Sequence, residues 1–447
     1  MSPSFKVPEV ATYLLDRGLG DVGMKSSCRW TVLILDSKPN YILPTLHHDM
    51  PRLTTNLLRH ARSIDPLLTL LLRSCRDLSS AQNELRWLRE HAIKLTQNTK
   101  ARAHVPGWRA LLRHLVQKRA TGKPLQYVIG SEYFGDLEII CRSGVLIPRQ
   151  ETAASITYLT DRLSHAKTIP SELRVLDLCT GTGCIPLLFQ HQFNKTRRDR
   201  LQLYLLGVDI SQTAVRLAKY NHRRLLKQRQ SQLQDLERRG RSTQNQGEHE
   251  RLASQTAALH NTDFLLADVL TDPLSTIFYD PIPFKAGMNF ANKRPFWNIL
   301  ISNPPYISPN AFNHTTTRSV RAFEPKTALV PPVGSGISDV EQGDAFYPRL
   351  LKIANEVEVQ LCLFEVADLD QAIRVAHMVR DSDLWDGVEI WRDFPELADE
   401  SDEDCLHNGF EVIGQGNGRS VVCWRGGGSE WIGRVNNEVR SDRRRSS

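Results

Sequence analysis

From about residue 151 onward, five short apolar runs recur between stretches of helical character. They are Arg174-Val-Leu-Asp-Leu, Leu203-Tyr-Leu-Leu-Gly-Val-Asp, Phe264-Leu-Leu, Trp297-Asn-Ile-Leu-Ile and Gln360-Leu-Cys-Leu-Phe-Glu. Runs that are apolar at successive positions must be covered on both faces, and parallel strands need a crossover that a helix usually supplies. The pattern therefore predicts an α/β domain with a mostly parallel sheet and helices on both sides. A last pair of runs, Gly387-Val-Glu-Ile-Trp and Ser420-Val-Val-Cys-Trp, predicts an antiparallel hairpin at one sheet edge.

Upstream the period changes. Within residues 50–122, leucines such as Leu57, Leu58, Leu67, Leu68, Leu71, Leu72, Leu85, Leu88, Leu111, Leu112 and Leu115 fall at helical spacing, with breaks at Asp65-Pro66 and Val105-Pro106-Gly107. This predicts a small helical domain. Residues 123–150 alternate around Gly130, Gly135 and Gly144, which predicts a β-hairpin linker. The α/β domain then spans 151–426, interrupted by a polar insertion at 222–260 expected as an extended helix or a disordered loop, and 427–447 is expected as a mobile basic tail. Residues 1–49 form an N-terminal extension. From Met50 the chain is basic, hydroxylated and free of acids until Asp65, which reads either as an amphipathic mitochondrial targeting helix with translation starting at Met50 or as an ordinary first helix of the domain.

Bulk properties exclude several classes. No apolar run approaches the roughly 18 residues a membrane helix needs. The eight cysteines are scattered, with no pair at zinc-ligand spacing, so reduced thiols and no metal site are expected. A formal charge of +7 is small for 447 residues, and it marks no nucleic-acid surface by itself.

The chemistry collects at strand ends. After the first strand come Asp177-Leu-Cys-Thr180-Gly181-Thr182-Gly183 and then a helix, so that glycines let the backbone pass close beneath a bound nucleoside. Alone this could be a structural turn. About 30 residues on, Gly207-Val-Asp209 places a carboxylate to accept ribose hydroxyls, and Asp268 at the next strand end can accept from an adenine amino group. Three acids suit a cationic nucleoside better than a dinucleotide with an anionic pyrophosphate. The most specific element is Asn303-Pro304-Pro305-Tyr306, directly after Ile299-Leu-Ile-Ser. Two prolines fix φ and remove two amide donors, which leaves the Asn303 side chain and the Pro304 carbonyl as outward acceptors. They fit a planar NH2 group, which they can hold for attack on a methyl sulfonium, with Tyr306 offering a ring for the flat substrate to stack upon. Thus Asn303, Pro304 and Tyr306 are the candidate catalytic residues, and with Pro305 they form the candidate substrate site. Asp177, Thr180, Gly181, Thr182, Gly183, Asp209, Asp268 and Asn303 are the candidate cofactor residues.

Taken in order, Gly122-Lys-Pro-Leu-Gln-Tyr-Val-Ile-Gly130, Val145-Leu-Ile-Pro-Arg-Gln-Glu151-Thr, Asp177-Leu-Cys-Thr-Gly-Thr-Gly183 and Asn303-Pro-Pro-Tyr306-Ile resemble the HemK-type protein-(glutamine N5) methyltransferases of peptide chain release factors. The resemblance spans roughly residues 55–425. It implies a class I methyltransferase (Rossmann-like) fold and S-adenosylmethionine as methyl donor. The implied substrate is the glutamine of a release factor's Gly-Gly-Gln loop, recognised through the helical domain. It further implies that Asn303 and Pro304 bind the glutamine amide, and that the Gly181 loop and Asp209 hold the donor. The chain departs from the family at Gln150 and Ala153, where a proline and a second acid are common, and at Cys179, where glycine is common. A mitochondrial location is expected, cytoplasmic being the alternative, with a release factor as partner and no membrane or stable nucleic-acid partner. Two rivals remain: a methyltransferase acting on adenine or another exocyclic amine in nucleic acid, and a catalytically idle protein that keeps the fold for binding.

Overall fold

The computed structural model describes residues 53–98, 107–196, 201–238, 243–271, 284–290, 293–334, 336–397 and 406–434. The expected extension at 1–49 and the start at Met50 lie outside the described residues.

Helix α1 (Thr55–Ile64) begins where the Thr54 hydroxyl accepts from Leu57 N at 3.3 Å, and it stops at Asp65. Pro66 disfavours helical geometry in the residue before it. From Thr55 this basic segment is the first helix of the bundle, with Ala61 buried. Helix α2 (Leu68–Cys75) closes on Arg76, which takes a left-handed φ of 68°. Asp77 then accepts from Ser80 N at 2.8 Å as α3 (Leu78–Asn98) starts. Helix α4 (Trp108–Ala120) completes a bundle whose core includes Leu68, Leu71, Leu72, Leu85, Leu88, Leu112 and Leu115. The Arg119 guanidinium crosses from α4 to Glu84 on α3 through two hydrogen bonds, at 2.7 and 2.9 Å, and so ties the two helices together.

A short helix α5 (Leu125–Ile129) leads into strands β1 (Ser131–Phe134) and β2 (Leu137–Ile140), which pair antiparallel. The hairpin is shorter than the 123–150 alternation suggests. Val145 and Ile147 are buried as irregular chain, because they pack beneath the cavity described below rather than against a partner strand.

The remaining elements follow in chain order: α6 (Gln150–His165), β3 (Glu172–Leu178), α7 (Cys184–Thr196), β4 (Gln202–Asp209), α8 (Gln212–Arg238), α9 (Thr243–His260), β5 (Thr262–Leu266), α10 (Phe284–Phe290) and β6 (Ile299–Ser302). Then come α11 (Pro309–His314), α12 (Arg318–Phe323), α13 (Asp339–Gly343), α14 (Tyr347–Glu356), β7 (Leu361–Glu365), α15 (Leu369–Asp381), β8 (Gly387–Phe394), β9 (Leu406–His407), β10 (Phe410–Ile413), β11 (Gln415–Trp424) and α16 (Gly428–Trp431). One sheet runs β5-β4-β3-β6-β7-β11-β8-β10-β9. Strands β5, β4, β3, β6 and β7 are parallel, and β11 runs antiparallel to both β7 and β8. This is the α/β, Rossmann-like class I methyltransferase arrangement. Alternate residues of each strand bury opposite faces. Val175, Ile299 and Leu363 join one core with Leu188 and Phe189 of α7. Leu176, Leu300 and Phe364 join the other with Leu350 of α14 and Val375 of α15.

Three expectations need correction. The pair β8 and β11 is antiparallel, with Trp391 opposite Ser420, but β11 lies inside the sheet and β10 and β9 extend it beyond β8. Those two strands are too short to stand out in the sequence, although Phe410 and Val412 are buried. Among the described residues, the polar stretch 222–260 is two helices, the end of α8 and all of α9, which pack together around a buried polar cluster. There His191 Nδ1 lies 3.2 Å from Arg229 and 3.1 Å from Gln255, and burial pushes the imidazole pKa down to about 4. Finally, residues 427–434 are not part of a mobile tail. Trp431 and Ile432 are buried in the first core, and Arg434 pairs with Glu389 and Glu411. Among the described residues, no helix is long and apolar enough to cross a membrane.

Candidate active site

The chain enters the sheet at β3, adds β4 and β5 on one side, then crosses to add β6 and β7 on the other. Ligands of such sheets bind at the carboxyl ends of the strands where the order reverses. Register puts the candidate residues there: Leu178 lies beside Val208 and Ser302, and Asp209 beside Leu266. Asp209, Asp268 and Asn303 therefore leave the sheet at the same end. The Ser302 hydroxyl donates to Leu178 O at 2.7 Å and locks the two strand ends together.

Between β3 and α7 the loop turns through left-handed φ at Cys179 (65°), Gly181 (54°) and Gly183 (78°). The left-handed region is where glycine is unstrained, which gives the departure at Cys179 its physical meaning: a side chain stands where the backbone costs about 1 kcal/mol for any residue but glycine. A Cβ at Gly181 would meet nothing within 4 Å, so the loop leaves open space above it. Asp209 clamps this loop, with Oδ2 accepting from Gly181 N and Oδ1 from Ser211 N, both at 2.8 Å. Burial raises its pKa while those amides pull it back. Each oxygen keeps a lone pair for a further donor. Behind the loop, a Cβ at Gly207 would come within 2.5 Å of Thr180 Oγ1 and 2.6 Å of Phe264 Cδ1. Gly207→Ala should accordingly lower stability by about 2 kcal/mol through overpacking, read as a fall in thermal midpoint; an unchanged midpoint would contradict this packing.

The loop roofs a cavity of about 540 Å³, within the range of small-molecule sites. Thr180, Gly181, Thr182, Asp209 and Asp268 line it, whereas Gly183 and Asp177 do not. Asp177 lies fully buried behind the wall, with neither carboxylate oxygen hydrogen-bonded among the described residues, and burial holds its pKa well above the usual carboxylate range. Gly183 serves packing, since a Cβ there would strike Phe264 at 2.9 Å. The lining has two carboxylates and a single cation among the described residues, Arg149. Arg149 pairs with buried Glu324 at 2.7 Å, whose other oxygen accepts from Ile147 N at 3.0 Å. Such a lining fits a nucleoside with free ribose hydroxyls and a cationic centre better than an anionic pyrophosphate, since its one cation among the described residues is already paired with Glu324.

A second cavity, of about 740 Å³, lies next to the first. Asn303 lines both, Pro305 lines only the first, and Pro304 and Tyr306 line only the second. Pro305, expected with the substrate, is thus placed on the nucleoside side. The Asn303 Nδ2 group donates to Thr152 Oγ1 at 3.3 Å, and Thr152 in turn donates to Glu365 Oε2. The Tyr306 hydroxyl donates to Glu365 Oε1 at 3.0 Å, so that ring is tethered at its polar end. Sequence reading passed over Glu365, although it is a fourth acid at a strand end and obeys the same rule as the other three. Thr152 closes the Val145-to-Thr152 motif, where its place in the sequence alone gives it no role.

No family model matches the chain. It is 33% identical over 285 residues to the mitochondrial MRF1 N(5)-glutamine methyltransferase MTQ1 of Saccharomyces cerevisiae, covering 63% of this chain and 68% of that protein. It is 28% identical over 349 residues to a protein of Schizosaccharomyces pombe named as a probable MRF1 mitochondrial N(5)-glutamine methyltransferase, covering 76% and 92%. It is 26% identical over 287 residues to the release factor glutamine methyltransferase of Pasteurella multocida, covering 63% and 76%. The Thr180 to Thr182 loop, Asp209, Asp268 and Asn303 line one cavity, and with this extent of likeness the chain belongs to the family of S-adenosylmethionine-dependent N(5)-glutamine methyltransferases.

Proposed function

We propose that the enzyme methylates the side-chain amide nitrogen of the glutamine in the Gly-Gly-Gln motif of a release factor, with Asn303 and Pro304 holding that amide where the two cavities meet. The observation that carries this reading is the position of Asn303, which lines both cavities at once. Bound in the first cavity, S-adenosylmethionine supplies an electrophilic methyl sulfonium. Asp209 takes the ribose hydroxyls, Asp268 the adenine amino group, and the Thr180 to Thr182 loop covers the nucleoside. From the second cavity, the glutamine NH2 gives one hydrogen to Asn303 Oδ1 and one to the Pro304 carbonyl. Holding both hydrogens in fixed directions draws the nitrogen lone pair out of conjugation and aims it at the first cavity. The Tyr306 ring borders the flat amide. No strong base is needed, because a nitrogen that has gained a methyl before losing a proton is very acidic. The same corner could hold an exocyclic base amine, but family membership favours the glutamine.

The helices of residues 50–122 are proposed to recognise the body of the release factor, and the yeast names support a mitochondrial location. Mass spectrometry of a recombinant release factor incubated with enzyme and donor tests the substrate. One added methyl on the loop glutamine is expected, whereas an unmodified loop with intact donor binding would reject it.

A further inference from the structure

The amide of Asn303 has two unlike ends, and only one of them can accept hydrogens from a substrate NH2. Which end faces the substrate is set by Thr152, which lines the first cavity beside Asn303, and by Glu365 behind it, which lines neither cavity. Thr152, in the first turn of α6, is 3% exposed, and Glu365, at the end of β7, is 2% exposed. The Thr152 hydroxyl has one hydrogen, which goes to Glu365 Oε2. Glu365 Oε1 already accepts from Tyr306 at 3.0 Å, so both oxygens act as acceptors. Burial pushes this carboxyl up, while Thr152, the Arg419 charge and Tyr306 draw it back toward the ionised form. With its hydrogen committed, Thr152 Oγ1 can only accept, and the donor in reach is Asn303 Nδ2 at 3.3 Å. A planar amide with nitrogen on one side must put Oδ1 on the other.

We infer that Thr152 and Glu365 form a hydrogen-bond relay that fixes the direction of the Asn303 amide, so that its oxygen faces the substrate and selects a nitrogen bearing two hydrogens. The relay rests on the reading of Asn303 as the amide acceptor. Thr152 and Glu365 are positioning residues, acting through Asn303. Without the relay the Asn303 side chain can turn over, and in the turned form its NH2 meets the substrate NH2 and repels it.

Thr152→Val keeps the shape and removes the hydroxyl. Its kcat for release factor methylation should fall about tenfold or more, while the Kd for S-adenosylmethionine and the KM for the release factor stay within about threefold. Thr152→Ser restores the hydroxyl and should bring kcat back to within about threefold of the parent. A purely structural role would move the thermal midpoint and donor affinity together with kcat, and serine would not rescue one without the others. If Thr152→Val folds poorly, Thr152→Ala takes its place with the same readouts. A folded valine or alanine variant with parental kcat, or a serine variant as slow as valine, overturns the relay. The control is Asn303→Ala: if it too is fully active, the amide-acceptor reading has failed, whereas a slow Asn303→Ala beside a fast Thr152→Val removes the relay alone.

Discussion

Asn303→Ala is expected to lower turnover by about two to three orders of magnitude while leaving donor affinity within about threefold of the parent. The asymmetry follows from where the side chain stands. Asn303 shares a wall with the nucleoside cavity but forms no hydrogen bond to the glycine loop, whose shape is held by Asp209 and by Thr180 N donating to Val208 O at 2.9 Å. Its removal therefore spares the donor pocket. On the other side, the substrate amide keeps the Pro304 carbonyl and loses the second acceptor, so one hydrogen is no longer directed and the nitrogen lone pair returns to conjugation. Single-turnover rates at saturating donor, with donor Kd from titration calorimetry, separate the two effects. A variant that turns over near the parental rate would show that the corner does not hold the nucleophile.

Asp209→Ala should raise the donor Kd by about 100-fold, equivalent to about 2.7 kcal/mol, while kcat at saturating donor falls far less. Two losses combine. The ribose hydroxyls lose their acceptor, and the Gly181 and Ser211 amides lose theirs, each hydrogen bond of this kind to a charged group being worth about 1.5–3 kcal/mol. Gly181 then has nothing to hold its left-handed turn under the nucleoside. An unchanged Kd would refute the assignment of Asp209 to the ribose. The contrast between the variants is the sharper test: one impairs transfer and spares binding, and the other does the reverse.

Much of this arrangement was legible in the chain. The strands from β3 to β7 announce themselves because both of their faces are buried, which removes polar residues from runs such as Ile299-Leu300-Ile301. The site was legible for a related reason: strand ends of a parallel sheet share one edge, so acids and the Asn-Pro-Pro-Tyr quartet at successive ends must converge. What escaped depends on contacts distant in sequence. The break at Arg76 carries neither proline nor glycine and shows only as a left-handed φ. Glu324 lies 175 positions from Arg149, and Glu365 lies 213 positions from Thr152, so no local spacing links either pair. Pro305 could not be assigned a side, because two adjacent prolines at a corner necessarily face different ways and only the packing decides which. The helix α9 hid within a polar stretch because Gln255, whose amide donates to His191 O at 3.1 Å, shares its buried side with only Leu252, Ala258 and Leu259.

Methyl transfer by this enzyme depends on the Asn303-Pro304 corner meeting the substrate nitrogen beside the donor. A crystal structure of the enzyme with S-adenosylhomocysteine and a peptide carrying the Gly-Gly-Gln loop measures this directly. The predicted result places the nucleoside against the Thr180 to Thr182 loop and Asp209, with the glutamine nitrogen within hydrogen-bond distance of both Asn303 Oδ1 and Pro304 O. A glutamine bound elsewhere in the second cavity, with those two oxygens turned to solvent, would contradict it.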